Sequence, residues 1–247
     1  MVIMIQEEGS YMLKYEAIAS DLRKQITDGV FTPGQQLALE KEMCTQYGVS
    51  RITIKRAVDE LVKEGLVVKR RGSGTFVKSI EDKDVKELGM ANQFNGFAAT
   101  FKGRKVTTKV VRFDIIHPEK EVAAKLQMSV DDFIYDIVRV RYLDDEPIVV
   151  EYTQMPIQLI PGLKRQVLEH SIYSYIEGDL KLKIQSAHRI VRAMMPTEEE
   201  KQELEIKGVM PILEVKQVAF LDDGRPFEVS ISHHRGDRNA FRSVSIR

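Results

Sequence analysis

Apolar residues recur every three or four positions from Tyr15 onward. Tyr15, Ile18, Ala19, Leu22 and Ile26 fall on one helical face. Gly29 follows as a stop, and Pro33-Gly34 punctuates a turn. A second helix, about Leu39 to Tyr47, turns Met43, Cys44 and Tyr47 inward and is closed by Gly48. Ser50 is placed to cap a third, because its hydroxyl can take a free backbone N–H of the first turn. Along that helix Ile54, Ala57, Val58 and Leu61 form the core arc, while Arg51, Ile52, Lys55, Arg56 and Asp59 form the other. The period then becomes alternating. GLVVKRRGSGTFV predicts a two-stranded hairpin with Gly72-Ser73-Gly74 at its tip and Arg70 and Arg71 just before it.

Ser79 to Gln93 is polar and acidic with little period, which predicts a linker. Beyond it, VRVRYLDDEPIVVEYT and KQVAFLDDGRPFEVSIS resemble each other: an alternating strand, an Asp-Asp turn ending in proline, and a returning strand. They predict two hairpins of one antiparallel sheet, related by a pseudo-twofold, with the aspartates serving the turns rather than acid–base chemistry. Alternation puts Phe133, Tyr135, Ile137, Arg139 and Arg141 on one side of the first hairpin, where the second has Gln217 and Ala219. The returning strands carry Glu151 and Glu228 at the same parity. Glu228, Ser230, Ser232 and His234 form one face, and Phe227, Val229, Ile231 and His233 the other. Two arginines two apart on an apolar face make an anion clamp if that face lines a pocket, and a solvated pair if it lies outside. Between the hairpins come a turn at Pro161-Gly162, a helix near Ser171 and another headed by Thr197, with Glu200 completing a capping box. Ser171 at a helix start can offer its hydroxyl and backbone N–H to an anion.

The 247 residues, 43% hydrophobic, suffice for one large domain or two modest ones and argue against disorder. No apolar run approaches the roughly eighteen residues that span a bilayer, and MVIMIQEEGSYM lacks the basic start of a secretory signal. One cysteine, Cys44, excludes an internal disulfide and a Cys-rich metal site; it points to a reduced, cytoplasmic setting and reads as a small core residue. His233 and His234 point to opposite strand faces, so no metal is expected there, nor any cofactor. Net charge is zero, but its distribution is uneven. Tyr11 to Lys78 holds twelve basic and eight acidic residues, and Arg51 to Arg71 seven and three; Ser79 to Arg247 holds 25 and 27. A basic first third joined to a near-neutral remainder suggests a polyanion-binding module attached to something else.

The short helix, the turn Tyr47-Gly48-Val49-Ser50 and the basic helix have helix-turn-helix spacing, and the basic hairpin reads as a wing. The run from Tyr15 to Val77 resembles the DNA-binding domain of the GntR family of bacterial transcription regulators. The match rests on Tyr15, Leu22, Ile26, Gly29, Pro33-Gly34, Glu40, the GVSR block, Ala57, Leu61, Glu64-Gly65-Leu66 and the wing Gly72-x-Gly74-Thr75-Phe76-Val77. The chain has Leu37-Ala38-Leu39-Glu40 where that family usually has Leu-Pro-Ser-Glu, losing a proline and a capping serine. From Phe94 to Val244 it resembles the UTRA ligand-binding domain of the HutC subgroup, on RVRYLDDEPIVVEYTQMP, PGL, HSIYSYI, TEEEKQEL and FLDDGRPFEVSISHHRGDRNAF. These resemblances imply an α+β two-domain protein. Residues 11–78 would form a winged helix-turn-helix, 79–93 a linker, and 94–247 an α/β UTRA domain like chorismate lyase, with an antiparallel sheet.

By resemblance, Lys41, Arg51, Thr53 and Lys55 occupy DNA-contacting positions and Gly72 lies in the wing that reaches the minor groove. Chemistry agrees: Arg51 can grip guanine or phosphate bidentately, while Lys55 suits phosphate. Arg56, Arg70 and Arg71 are assigned to phosphates. In relatives that bind phosphosugars, positions matching Arg139, Arg141 and Ser171 hold the phosphate. Those matching Glu151, Tyr173, Glu228 and His234 contact the sugar or close the pocket. Phe97 and Ala98 match a loop that also meets the ligand, although Ala98 replaces a hydroxyl residue and His234 stands where many relatives have tyrosine. The implied protein is a homodimer on a pseudo-palindromic duplex operator, most often a repressor released by a phosphosugar. Three other readings stay open: a carboxylate effector, an enzyme of the lyase-like fold, and a constitutive architectural DNA binder. Against the enzyme, no spaced nucleophile-base-orienter set is visible.

Overall fold

A computed structural model describes residues 4–7, 10–79, 101 and 103–240. These lie in two compact units, within Met1–Asn92 and Gln93–Phe241. Phe97, Ala98 and residues 80–93 of the expected 79–93 linker fall outside the described residues.

The N-terminal unit opens with an antiparallel pair, β1 (Met4–Glu7) and β2 (Ser10–Leu13). Three helices follow, α1 (Lys14–Thr27), α2 (Glu40–Tyr47) and α3 (Arg51–Lys63), then the hairpin β3 (Val67–Arg70) and β4 (Gly74–Val77). The apolar stripes meet in one core: Ile18, Leu22 and Ile26 of α1, Met43 of α2, Ile54, Val58 and Leu61 of α3, and Val67 and Val77 of the hairpin. Cys44 and Tyr47 pack at its margin, half-buried. Arg23 grips buried Glu64 through two hydrogen bonds, of 2.7 and 2.5 Å, fastening α1 to the end of α3. Ser50 caps α3 by accepting the Thr53 N–H at 3.4 Å. Leu39 has no side chain for that role at α2, yet half of a capping box survives, since Glu42 accepts the Leu39 N–H at 2.8 Å. Gly74 is required by conformation, and a side chain there would also displace a neighbour. Its φ is +122°, and a Cβ would meet the Gln36 amide that donates to Ser73 O.

The C-terminal unit is a six-stranded antiparallel sheet with short helices. In chain order it runs β5 (Val106–Ile116), α4 (Lys120–Leu126), β6 (Ile134–Leu143), β7 (Glu146–Pro156), α5 (Arg165–Leu168), α6 (Ile172–Gly178), β8 (Ile184–Met194), α7 (Glu198–Glu203), β9 (Ile212–Leu221) and β10 (Pro226–Arg235). The sheet order β5-β6-β7-β10-β9-β8 is symmetric about its centre. The two resembling hairpins are β6-β7 and β9-β10, side by side, and the repeat is larger than their sequences reveal. β5 recurs as β8 and β6 as β9, each 78 residues later, with a short helix between them both times. Even the left-handed residue after each helix recurs, Gln127 and Glu205.

Two expected strand positions are corrected. β6 starts at Ile134, so Phe133 does not share the face of Tyr135 and Arg139; it is exposed and stacks on His117. Phe227 does not lie opposite Glu228. It is the extra residue of a β-bulge between Pro226 and Glu228, and it packs with Ile137, Met155 and Ile176, against Tyr173. Ile148 bulges in the same place of the first hairpin. In both, a proline precedes the bulge: it cannot donate to the ladder, and strand prolines concentrate at such irregularities.

Candidate functional site

In the N-terminal unit the basic side chains are presented by rigid elements. Lys41 on α2, Arg51, Lys55 and Arg56 on α3, and Arg70, Arg71 and Gly72 around the hairpin turn are all exposed. Arg51 leaves 81% of its side chain in water, with Nε 3.0 Å from Glu40 Oε2. That solvated pair is worth ~1 kcal/mol or less, so the guanidinium is oriented but remains available. Thr53 shares a 2.9 Å hydroxyl contact with Ser50. Arg56 lies 4.3 Å from the centre of the Tyr15 ring and Arg70 4.8 Å from that of Phe76, so both have a packing partner as well as an open guanidinium edge. Gly72 has a φ of +76°, which lets the wing turn tightly without a side chain at its tip.

The second site lies on the sheet face covered by α5 and α6. Arg139 and Arg141 leave only 7% and 4% of their side chains exposed. Glu151, opposite Arg139 in the register, accepts from Arg139 Nη2 at 2.7 Å and lies 3.6 Å from Arg141 Nη1. Arg139 Nη1 also donates to Leu168 O at 3.1 Å, just before Ser171. Among the described residues Arg139 Nε and His234 Nδ1 are buried without a hydrogen-bond partner. Burial alone would raise the Glu151 carboxyl, but Arg139, Arg141 and His234 outweigh it and hold it below the usual range. Burial pushes Arg141 down, against the pull of Glu151. Ser171 caps α6, its hydroxyl accepting the Ser174 N–H at 3.1 Å.

Beside this triad Glu228 accepts from Ser230 at 2.6 Å, Gln217 at 2.8 Å and Tyr173 at 3.3 Å. Burial raises its carboxyl despite these donors, with Glu151 adding to the rise. Burial, then Glu228, pushes the Tyr173 hydroxyl well up. Burial drives the His234 imidazole down to about 4, so it is neutral near pH 7. Hydrogen bonds and electrostatic coupling therefore gather Arg139, Arg141, Glu151, Tyr173, Glu228 and His234 on one sheet face, and Arg139 also bonds the loop that leads to Ser171.

Gln217, Ser230 and Arg189 join the site without having been expected there. Arg189 Nε donates to Gln217 Oε1 at 2.7 Å, which fixes the amide so that its NH₂ points at Glu228 and Tyr173. Gln217 is the repeat mate of Arg139, 78 residues on, but Arg189 reaches it only through the β8-β9 pairing. On the other face His233 meets Glu200 at Nδ1 and Glu214 at Nε2 (3.2 Å), and Tyr152 donates to Glu200 at 2.9 Å. His233 and His234 do face opposite ways. Arg235 pairs with Asp237 at 2.9 Å and also bonds Leu204 O at the end of α7. No group of three or more His, Cys, Asp or Glu among the described residues is placed to hold a metal ion, and no helix among them is long and apolar enough to cross a membrane.

Residues 14–77 match the family model for bacterial regulatory proteins, gntR family, and residues 102–240 that for the UTRA domain. The HTH-type transcriptional regulator GmuR of Bacillus subtilis is 41% identical over 96% of this chain and all of its own length. The mannosyl-D-glycerate transport/metabolism system repressor MngR of Escherichia coli is 35% identical over 94% of this chain and 96% of its own. Among solved structures, that of the possible transcriptional regulator YydK of Bacillus subtilis superposes with a TM-score of 0.77 at 26% identity, covering 95% of this chain and 100% of that one.

Proposed function

This chain belongs to the GntR family of bacterial regulatory proteins and carries a UTRA domain, and from that premise we propose that it is a homodimeric repressor of sugar-utilisation genes, released by a phosphorylated sugar. As its relatives are, it is a DNA-binding transcription regulator and not an enzyme. Arg51 would reach base edges with Thr53, while Lys41, Lys55, Arg56, Arg70 and Arg71 hold phosphates and Gly72 lets the wing approach the minor groove. One such helix reads a half-site, so two copies on a pseudo-palindromic operator follow.

The single observation that carries the effector reading is the buried Arg139–Glu151–Arg141 triad, with Arg139 Nε lacking a partner among the described residues. Burying guanidinium groups costs several kcal/mol unless their hydrogen bonds are completed. A phosphate supplies several acceptor oxygens at the fork spacing guanidinium groups prefer, and the Ser171 hydroxyl can add one more bond. Glu151, Glu228, Tyr173 and neutral His234 then offer acceptors and donors to sugar hydroxyls, with Phe97 and Ala98 proposed to close the site. The name of MngR, a mannosyl-D-glycerate system repressor, supports an effector that contains a sugar. Effector and operator would oppose each other through one coupling free energy, each weakening the other by the same factor.

The test uses full-length protein and a duplex selected from a random library. Hexose 6-phosphates, the same sugars without phosphate, and sugar acids are titrated by calorimetry and in a DNA-release assay. One phosphosugar should bind and free the duplex while its parent sugar does neither. Release by sugar acids alone would replace phosphate with carboxylate as the recognised group. Binding to DNA that no anion alters would overturn effector-controlled release.

A further inference from the structure

Ile52 has no part in the interface described above. It is the second residue of α3 and 75% exposed, more than Val30 at 64% or Leu39 at 52%. One exposed aliphatic side chain is ordinary on a protein surface. The setting of this one is not. Arg51, Lys55 and Arg56 are exposed on the same helix, and Ser50 and Thr53 place hydroxyls in the same turn. Local helix stability does not ask for isoleucine there, since a β-branched residue is a poorer helix former than Lys, Glu or Ala. Nor does the protein core, since Ile52 stands outside the N-terminal cluster. The positive charges around it oppose a second basic surface and favour a polyanion.

The major groove of B-DNA presents one apolar group among its donors and acceptors, the thymine C5 methyl. We propose that Ile52 is a specificity-determining residue that packs on thymine methyls in the half-site Arg51 addresses. The proposal rests on the reading of α3 as the recognition helix. The first turn of α3 then reads two kinds of chemistry at once: Arg51 tests for acceptors and Ile52 for a methyl. Cations alone would hold any duplex, because phosphate contacts carry no sequence information.

Removing only the methyl tests this. The full-length protein selects a duplex from a random library, and each thymine is replaced in turn by deoxyuridine. At one or two positions per half-site, affinity should fall about fourfold, as expected for one buried methyl-sized group. Ile52→Ala should bind the parent duplex more weakly, with an unchanged slope of affinity against salt, because no charge is lost. It should also be indifferent to deoxyuridine at those same positions. Its melting temperature should equal the parent's, since the side chain is solvent-facing. A selected half-site without thymine, or equal uracil sensitivity in both proteins, overturns the assignment. Failure to select any duplex would instead strike at the DNA-binding reading itself.

Discussion

Arg51 keeps 81% of its side chain in water, whereas Arg139 and Arg141 keep 7% and 4%. Each touches a glutamate, yet the consequences differ. The Arg51–Glu40 contact is a solvated pair that a phosphate or a guanine can displace at little cost. The Arg139–Glu151–Arg141 contact is buried, so neither sign of charge can be withdrawn without stranding the other. On the roles proposed above, the cation for a large external polyanion stands exposed on a helix, and those for a small enclosed anion are buried in a sheet. The first kind should answer to salt and barely to stability. The second should do the reverse.

Crossing the two sites tests that contrast and carries the largest effects. Arg51→Ala should lower specific duplex affinity by roughly 2–6 kcal/mol in a dimer, from a loss of 1–3 kcal/mol at each half-site. Its unfolding midpoint should stay within about 0.5 kcal/mol of the parent. Glu151→Ala should instead destabilise the C-terminal unit by roughly 3–5 kcal/mol, because two guanidinium groups stay buried without their shared carboxylate. Fluorescence anisotropy with labelled duplex and urea denaturation read the two quantities. Should both variants lose stability alike, or both lose DNA affinity alike, the division of labour among these arginines is wrong.

Next in size is a pH effect confined to the buried site. The folded His234 imidazole lies at about 4, against an ordinary 6.5, chiefly through burial. The unfolded chain therefore binds more protons between those values, so this contribution to stability is full above pH 6.5 and is lost as pH falls toward 4. At pH 5 the loss is on the order of 2 kcal/mol. Glu228, held above its ordinary range by burial, acts with the opposite sign. The informative quantity is thus the difference between parent and His234→Gln. Between pH 7.5 and pH 5 the parent should lose about 2 kcal/mol more stability than the variant, read from urea midpoints. The basic face of α3, which holds no histidine, supplies no comparable dependence. Identical pH profiles for the two proteins would mean that His234 is solvated in the folded state.

The same split governs how much could be read from sequence. In the N-terminal unit, cores and charges follow helical period, so α1, α3 and the hairpin fall where their patterns put them. In the C-terminal unit the two hairpins were legible because their strings repeat, Leu-Asp-Asp included. The outer members of the repeat were not. β5 and β8 share no motif, although Pro118 and Pro196, each just before a helix, recur at the 78-residue spacing. Strict alternation puts Phe227 on the wrong face because it ignores a bulge, for which Pro226 is the available cue. Glu200 was legible as a cap but not as the partner of Tyr152 and His233. Arg189 was invisible, because its contact with Gln217 exists only once β8 lies beside β9. Patterns within a dozen residues report local structure; a site assembled across strands requires the register.

The smallest prediction asks whether the N-terminal unit depends on such local devices. Leu39 occupies the cap position of α2 with no side-chain acceptor, is 52% exposed, and leaves the Glu42 carboxylate to serve its N–H alone. Leu39→Ser would add a hydroxyl able to accept the Glu42 N–H, completing the reciprocal pair already present at Thr197 and Glu200. With half the leucine already in water, little burial is lost, and a gain of about 0.5–1 kcal/mol is expected. That corresponds to a rise of roughly 3–6 °C for a unit of this size. Calorimetry should place the rise in the N-terminal transition and leave the C-terminal one where it was. A shift in both would mean that the units unfold as one, and that a cap on α2 is not a device local to the N-terminal unit.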